Sequence, residues 1–191
     1  MKTLMTKFAS TLAAGFIATS AFAADEVKSL LPAFGADGAE VNVTAKDNNK
    51  VTGWLPKDWV DNSEWAAISA TYTKLSDPPK EGVTAVSVKV TKFEEGQLQL
   101  TSWTKPKFKK DVKYVVEGWI RSKESSGIKA GIRQTGEPYE FFAEQELSAT
   151  AEWKQFSFPF SFSEDKDAFV MFTKADTGAV DLAGITVHEQ K

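Results

Sequence analysis

Trp119 stands between Glu117 and Arg121 on one register of the segment Tyr114-Val115-Val116-Glu117-Gly118-Trp119-Ile120-Arg121. Tyr114, Val116 and Ile120 fill the opposite, apolar register. An indole among polar neighbours can cover the C–H side of a flat ligand while those neighbours hydrogen-bond its edges. Sugars are the usual ligands of that kind. A second segment offers the same chemistry, with Gln97, Gln99, Thr101 and Trp103 alternating with Leu98 and Leu100. Arg133, Gln134 and Tyr139 lie in adjacent segments and extend the set. The candidate carbohydrate-binding residues are therefore Trp103, Trp119, Gln97, Gln99, Glu117, Arg121, Arg133 and Tyr139. They form one surface only if the two segments share a sheet face.

The same residues have plainer readings. Trp119 could pack within the fold. Glu117 and Arg121 could make a surface ion pair, which contributes little. Trp153 opens an aromatic core strand, and Trp65 is expected in the core or as a loop anchor. Trp54 and Trp59 either line the edge of a groove or pin a long loop.

Catalysis finds less support. There is no Gly-x-Ser-x-Gly elbow, no His-Glu-x-x-His and no Gly-rich phosphate loop. Glu144 with Glu146, and Asp165 with Asp167, are carboxylate pairs of the kind a glycosidase uses, but neither has a flanking motif. His188 is the single histidine and is expected at a solvated strand end. The expectation is a binding protein, not an enzyme.

The elements that would position these residues are strands. Val86, Val88 and Val90 alternate with polar residues, then Glu95-Gly96 turns the chain and Leu98 and Leu100 follow, which predicts a hairpin. Further strands are predicted over residues 113–123, 128–133, 139–147, 153–162, 169–173 and 180–188. Phe156, Phe158, Phe160 and Phe162 form a core stripe. In the front half, residues 41–45 and 66–73 read as strands. Residues 47–64, rich in Asn, Asp and Gly, read as a long loop. About ten short strands with regular turns predict an all-β sandwich or barrel in one domain.

The first residues predict an export leader. Lys2 and Lys7 precede a short apolar run over residues 8–18, and Ala21-Phe22-Ala23 is a small-x-small cleavage site. Residues 1–23 are thus expected as a signal peptide, cleaved after Ala23, and residues 24–191 as the single domain. Losing Lys2 and Lys7 takes the formal net charge from −3 to −5. That balance disfavours nucleic acid and anionic membranes as partners, and no later stretch predicts a membrane span. The chain has no Cys, which excludes disulfides and thiolate zinc sites and fits a bacterial periplasmic or secreted protein.

Several segments resemble carbohydrate-binding modules of the group containing families four, nine, sixteen and twenty-two. Tyr114-Val115-Val116-Glu117-Gly118-Trp119-Ile120 is similar to that group's Tyr-x-apolar-x-Gly-Trp-Val strand. Trp153-Lys154-Gln155-Phe156-Ser157-Phe158-Pro159-Phe160 resembles its Trp-x-x-aromatic strand, and Val180-Asp181-Leu182-Ala183-Gly184-Ile185-Thr186-Val187 its closing strand. The resemblance covers residues 83–188 well and 30–70 loosely. It implies a galactose-binding-like jelly-roll β-sandwich of two antiparallel sheets, with a concave face that binds a polysaccharide or oligosaccharide chain. Many members hold a structural calcium, but two of their acidic positions read Ala183-Gly184 and Phe34-Gly35 here. No cofactor is expected, with Asp37 and Asp181 as the carboxylates left for a calcium ion. Two function classes stay open: an exported non-catalytic glycan binder, and a cell-envelope structural or protein-interaction sandwich without a sugar site. The second predicts Trp119 buried, or covered by residues 47–64.

Overall fold

The computed structural model describes residues 28–190 apart from positions 33 and 125. The expected leader and its cleavage site lie outside the described residues. Thirteen strands follow in chain order: β1 (Gly38–Thr44), β2 (Lys50–Pro56), β3 (Trp59–Asp61), β4 (Ala67–Lys74), β5 (Ala85–Glu95), β6 (Leu98–Ser102), β7 (Lys107–Phe108), β8 (Lys113–Arg121), β9 (Gly127–Gln134), β10 (Phe141–Ser148), β11 (Lys154–Ser161), β12 (Lys166–Lys174) and β13 (Gly178–Glu189). The only helical element among the described residues is a three-residue 3-10 turn, Lys46–Asn48.

The strands make two sheets. Sheet A runs β1-β2-β4-β5-β13-β8-β11, and sheet B runs β10-β9-β12-β6-β3 with β7 paired to β12. All ladders are antiparallel except β2 with β4. The fold is a jelly-roll β-sandwich: the alternation predicts a sandwich or barrel, and the resemblance implies the jelly roll. Between the sheets lie Val86, Val88, Val116, Ile120, Leu182 and Val187 from sheet A. Leu98, Leu100, Ile128, Ile132, Val170 and Phe172 meet them from sheet B. The Phe156–Phe162 stripe joins this core, with Phe160 edge-on to Phe108 at 5.1 Å. Burial of so much apolar surface is what holds the two layers together.

The front half differs from expectation. Residues 47–64 contain β2 and β3 where a long loop is expected. The Asn, Asp and Gly residues there serve the tight turns between short strands: Asp47, Asn48 and Asp58 all have positive φ near 60°. Trp59 is core, 3% exposed and edge-on to Phe34. Trp65 is 52% exposed, outside the core. The predicted hairpin of β5 and β6 does not form. β5 pairs with β4 and β13 in sheet A, and β6 pairs with β12 and β3 in sheet B. The Gly96 turn carries the chain from one sheet to the other. Alternation marks one buried face, and both strands bury one face against the same core from opposite sides.

Candidate functional site

The sheet crossing at Gly96 divides the candidate residues. Glu117, Trp119 and Arg121 lie on the outer face of sheet A, on β8. Gln99 lies on the outer face of sheet B, on β6, flanked by Gln97 and Trp103. Arg133 lies near the end of β9 on the same side, and Tyr139 follows in the turn after it. The single surface anticipated from the two segments is therefore two surfaces on opposite sides of the sandwich.

Sheet B presents its outer residues in rows, set by strand register. One row is Glu146, Lys129, Thr173 and Gln99. The next is Glu144, Gly131, Met171, Thr101 and Val60. The third is Phe141, Arg133 and Phe169, with Trp103 beside Phe169. Rows two residues apart along a strand are about 7 Å apart, so the three span about 14 Å.

The third row is aromatic and cationic. Trp103 is 60% exposed and stacks on Phe169, with ring centroids 6.0 Å apart and planes 25° from parallel. Phe169 underneath is buried, so it serves as the support of the exposed ring. Lys105 Nζ sits 5.2 Å from the Phe169 ring centre. The Arg133 guanidinium lies 4.8 Å over the Tyr139 ring and its Nε donates to the Tyr139 carbonyl at 3.1 Å. Desolvation lowers the Arg133 pKa from its ordinary value, and the group still stays charged. Gly131 makes room for Phe141, because a Cβ there would fall 2.6 Å from two ring carbons.

The first row is polar. Its Lys129 reaches diagonally to Glu144 of the second row at 3.5 Å. A hollow of about 270 Å³ opens at this end, lined by Gln97, Lys129, Glu146 and Thr173 among others. Gln97 is thus half-buried at the hollow's wall. Gln99 is 2% exposed, and its Oε1 accepts from Asn62 Nδ2 at 2.9 Å. Its side-chain carbonyl is spent inside the protein, so Gln99 offers little of its own side chain outward.

On sheet A, Arg121 is the clearest departure from expectation. It is 7% exposed and does not pair with Glu117. Its Nε and Nη2 reach Asp181 Oδ2 at 2.9 and 2.8 Å, and its Nη1 reaches Asp77 Oδ2 at 2.8 Å. Its guanidinium stacks 4.4 Å over Trp153, whose Nε1 donates to the Asp77 carbonyl at 3.0 Å. A buried guanidinium needs partners of this kind, and with three of its five N–H donors engaged and Trp153 on its face it has little left for a ligand. The hydrogen bond from Arg121 holds the Asp77 carboxyl below its ordinary value. Glu117 pairs with His188 instead, Oε2 to Nε2 at 3.1 Å, so His188 is a packed strand residue and not a solvated end. Trp119 is half-buried, and residues 47–64 do not cover it; Lys80 of the loop between β4 and β5 is what stands nearby.

Of the two carboxylates left for a calcium ion, Asp181 is engaged by Arg121. Among the described residues no three His, Cys, Asp or Glu side chains gather as a ligand group. The carboxylates therefore do not fit the calcium that the resemblance implies. No helix of the described residues is long and apolar enough to cross a membrane.

Residues 81–178, from the end of the β4–β5 loop to the start of β13, match the carbohydrate binding domain family spanning the fourth and ninth classes of such modules. The chain belongs to that family. This carbohydrate binding domain has no match among curated proteins. Its fold has many solved counterparts. A CBM4 structure is 15% identical over 82% of this chain and 97% of that one, with a TM-score of 0.53. The CBM1 module of BiXyn10A is 13% identical over 83% of this chain and 96% of that one, with a TM-score of 0.50. The enzymatically active domain of tailspike protein 4 from bacteriophage CBA120 shares 11% identity and a TM-score of 0.54. That match covers 70% of this carbohydrate binding domain and 20% of the tailspike chain. At such identities the likeness is one of fold.

Sequence reasoning missed Phe169, Phe141, Lys105, Lys129 and Gly131 on the sheet B face. β12 is apolar on both registers, Ala168, Val170 and Phe172 inward and Phe169 and Met171 outward, so its alternation vanishes. An uninterrupted apolar run in a two-layer sandwich is itself the signal that an outer face is covered by something.

Proposed function

We propose that this protein is an exported, non-catalytic carbohydrate binder that holds a polysaccharide or oligosaccharide chain across the outer face of sheet B. The exposed Trp103 ring, backed by buried Phe169, carries this reading. A rigid indole covers the apolar side of a sugar ring at little entropic cost. Arg133, Tyr139 and Lys105 stand around it with donors, and the Gln97 hollow about two rows away takes a further residue of the same chain. Family membership supports binding as the task, and the leader pattern supports delivery to the periplasm or the medium. No cofactor enters this reading, and no nucleic acid or membrane serves as partner.

Shallow sites of this kind bind in about the millimolar to micromolar range, or about −4 to −8 kcal/mol. Calorimetric titration with soluble glucans, xylans and mannans tests the proposal. At least one should give saturable heat, and Trp103→Ala should weaken it at least about tenfold, or about 1.4 kcal/mol. Silence toward every glycan from the folded protein would overturn the reading and favour the cell-envelope interaction protein.

A further inference from the structure

We infer that the protein carries a second saccharide site on the opposite side of the sandwich, at Trp119, and that it takes the end of a neutral glycan. A cleft of about 430 Å³ opens on the outer face of sheet A where β11, β8 and β13 lie side by side. That volume lies in the usual range for small-ligand sites. Trp119 stands in it with Glu117, Gln155, Ser157, Thr186 and Lys80.

Two backbone features open this cleft. The β13–β8 ladder shifts register between Ala183 and Thr186, which interrupts the pairing beside Trp119. Within that bulge Gly184 has φ +57°, and a Cβ there would lie 3.1 Å from Val83 and 3.8 Å from the Trp119 indole. Any larger residue would narrow the space next to the ring, and the backbone conformation itself favours glycine.

The lining selects the ligand. An indole supplies the apolar contact, and a carboxylate, an amide and two hydroxyls supply acceptors and donors for sugar hydroxyls. Glu117, held at one oxygen by His188, and Lys80 are of opposite charge, so the cleft favours a neutral ring over an acidic or basic one. Arg121 is the next outward residue along β8, and there Asp77 and Trp153 close over the strand. A polymer cannot continue past that cover, so the cleft accepts a terminal residue. This site does not depend on the Trp103 reading.

The test uses the full chain carrying Trp103→Ala, which weakens the other face. Nitrogen-labelled protein is titrated with cellobiose, xylobiose, mannobiose and chitobiose while the indole N–H signal of Trp119 is followed by NMR. At least one disaccharide should move that signal saturably in the millimolar range. Ser157→Tyr, at an exposed position on β11, fills the cleft and should weaken the shift at least about tenfold at an unchanged thermal midpoint. A Trp119 signal indifferent to all four sugars overturns the inference, as does a shift that survives Ser157→Tyr undiminished. Because Trp103 is absent throughout, either failure leaves the proposal for sheet B untouched.

Discussion

The outer faces of the two sheets are built from the same residue types and end up in different states. Each has tryptophan, arginine and glutamine on outward registers. On sheet B, Arg133 engages only a backbone carbonyl and an exposed tyrosine ring, and Trp103 leans on an aromatic and stays open. On sheet A, Arg121 spends its donors on Asp181 and Asp77, and Trp153 spends its face and its N–H on the same cluster. The difference lies in how many internal partners the fold brings to each polar group. A residue type marks a site only when its hydrogen-bonding capacity is left over after folding.

Substitutions can break that contrast. Arg121→Ala should have the largest effect on stability, about 3 kcal/mol by denaturant unfolding, because it leaves Asp181 buried and unpaired. Glycan affinity at Trp103 should be unchanged. A loss under about 1 kcal/mol would mean that Arg121 is freer than its partners imply. Gly131→Ala should cost about 1–2 kcal/mol, since its methyl group meets the Phe141 ring and displaces it from the sheet B face. Thermal unfolding together with the calorimetric titration reads both consequences.

Acid should separate the faces next. The Asp77 carboxyl is held below its ordinary value by Arg121, so its contribution is fully present above about pH 3.9. It is lost as pH falls through the lower folded value. Asp77→Asn should therefore flatten the fall of the unfolding midpoint on the acid side, and an unchanged slope would contradict the pairing. The smallest effect belongs to sheet B. Glu144→Gln should alter stability by a few tenths of a kcal/mol, because the pair with Lys129 is solvated.

The back half of the fold was legible in the sequence because the strands from β8 to β13, β12 apart, alternate apolar and polar residues and are separated by turn residues. The front half was harder. β2 and β3 are short and their turns use Asn and Asp in the left-handed region, so local chemistry resembles a loop. The site was legible as a set of residue types and illegible as a surface. Trp103, just past the end of β6, and Trp119, on β8, follow equally good alternation, and nothing in the period says which sheet a strand joins. Arg121 was misread for a related reason: Asp181 and Asp77 lie 60 and 44 residues away in the chain.

The chain's brief visit to sheet B through β3 has a mechanical side. β2 and β4 belong to sheet A, so the three residues of β3, within the connection 57–66, act as a pin between the two plates. Asp61 takes a hydrogen bond from the Tyr72 hydroxyl of β4 at 2.6 Å, and the next residue, Asn62, holds Gln99 of β6. Shear between the plates loads this pin directly. If a glycan anchors along β6 as proposed, tension on it would reach sheet A through the same few atoms and pull on the whole sandwich instead of peeling away one layer.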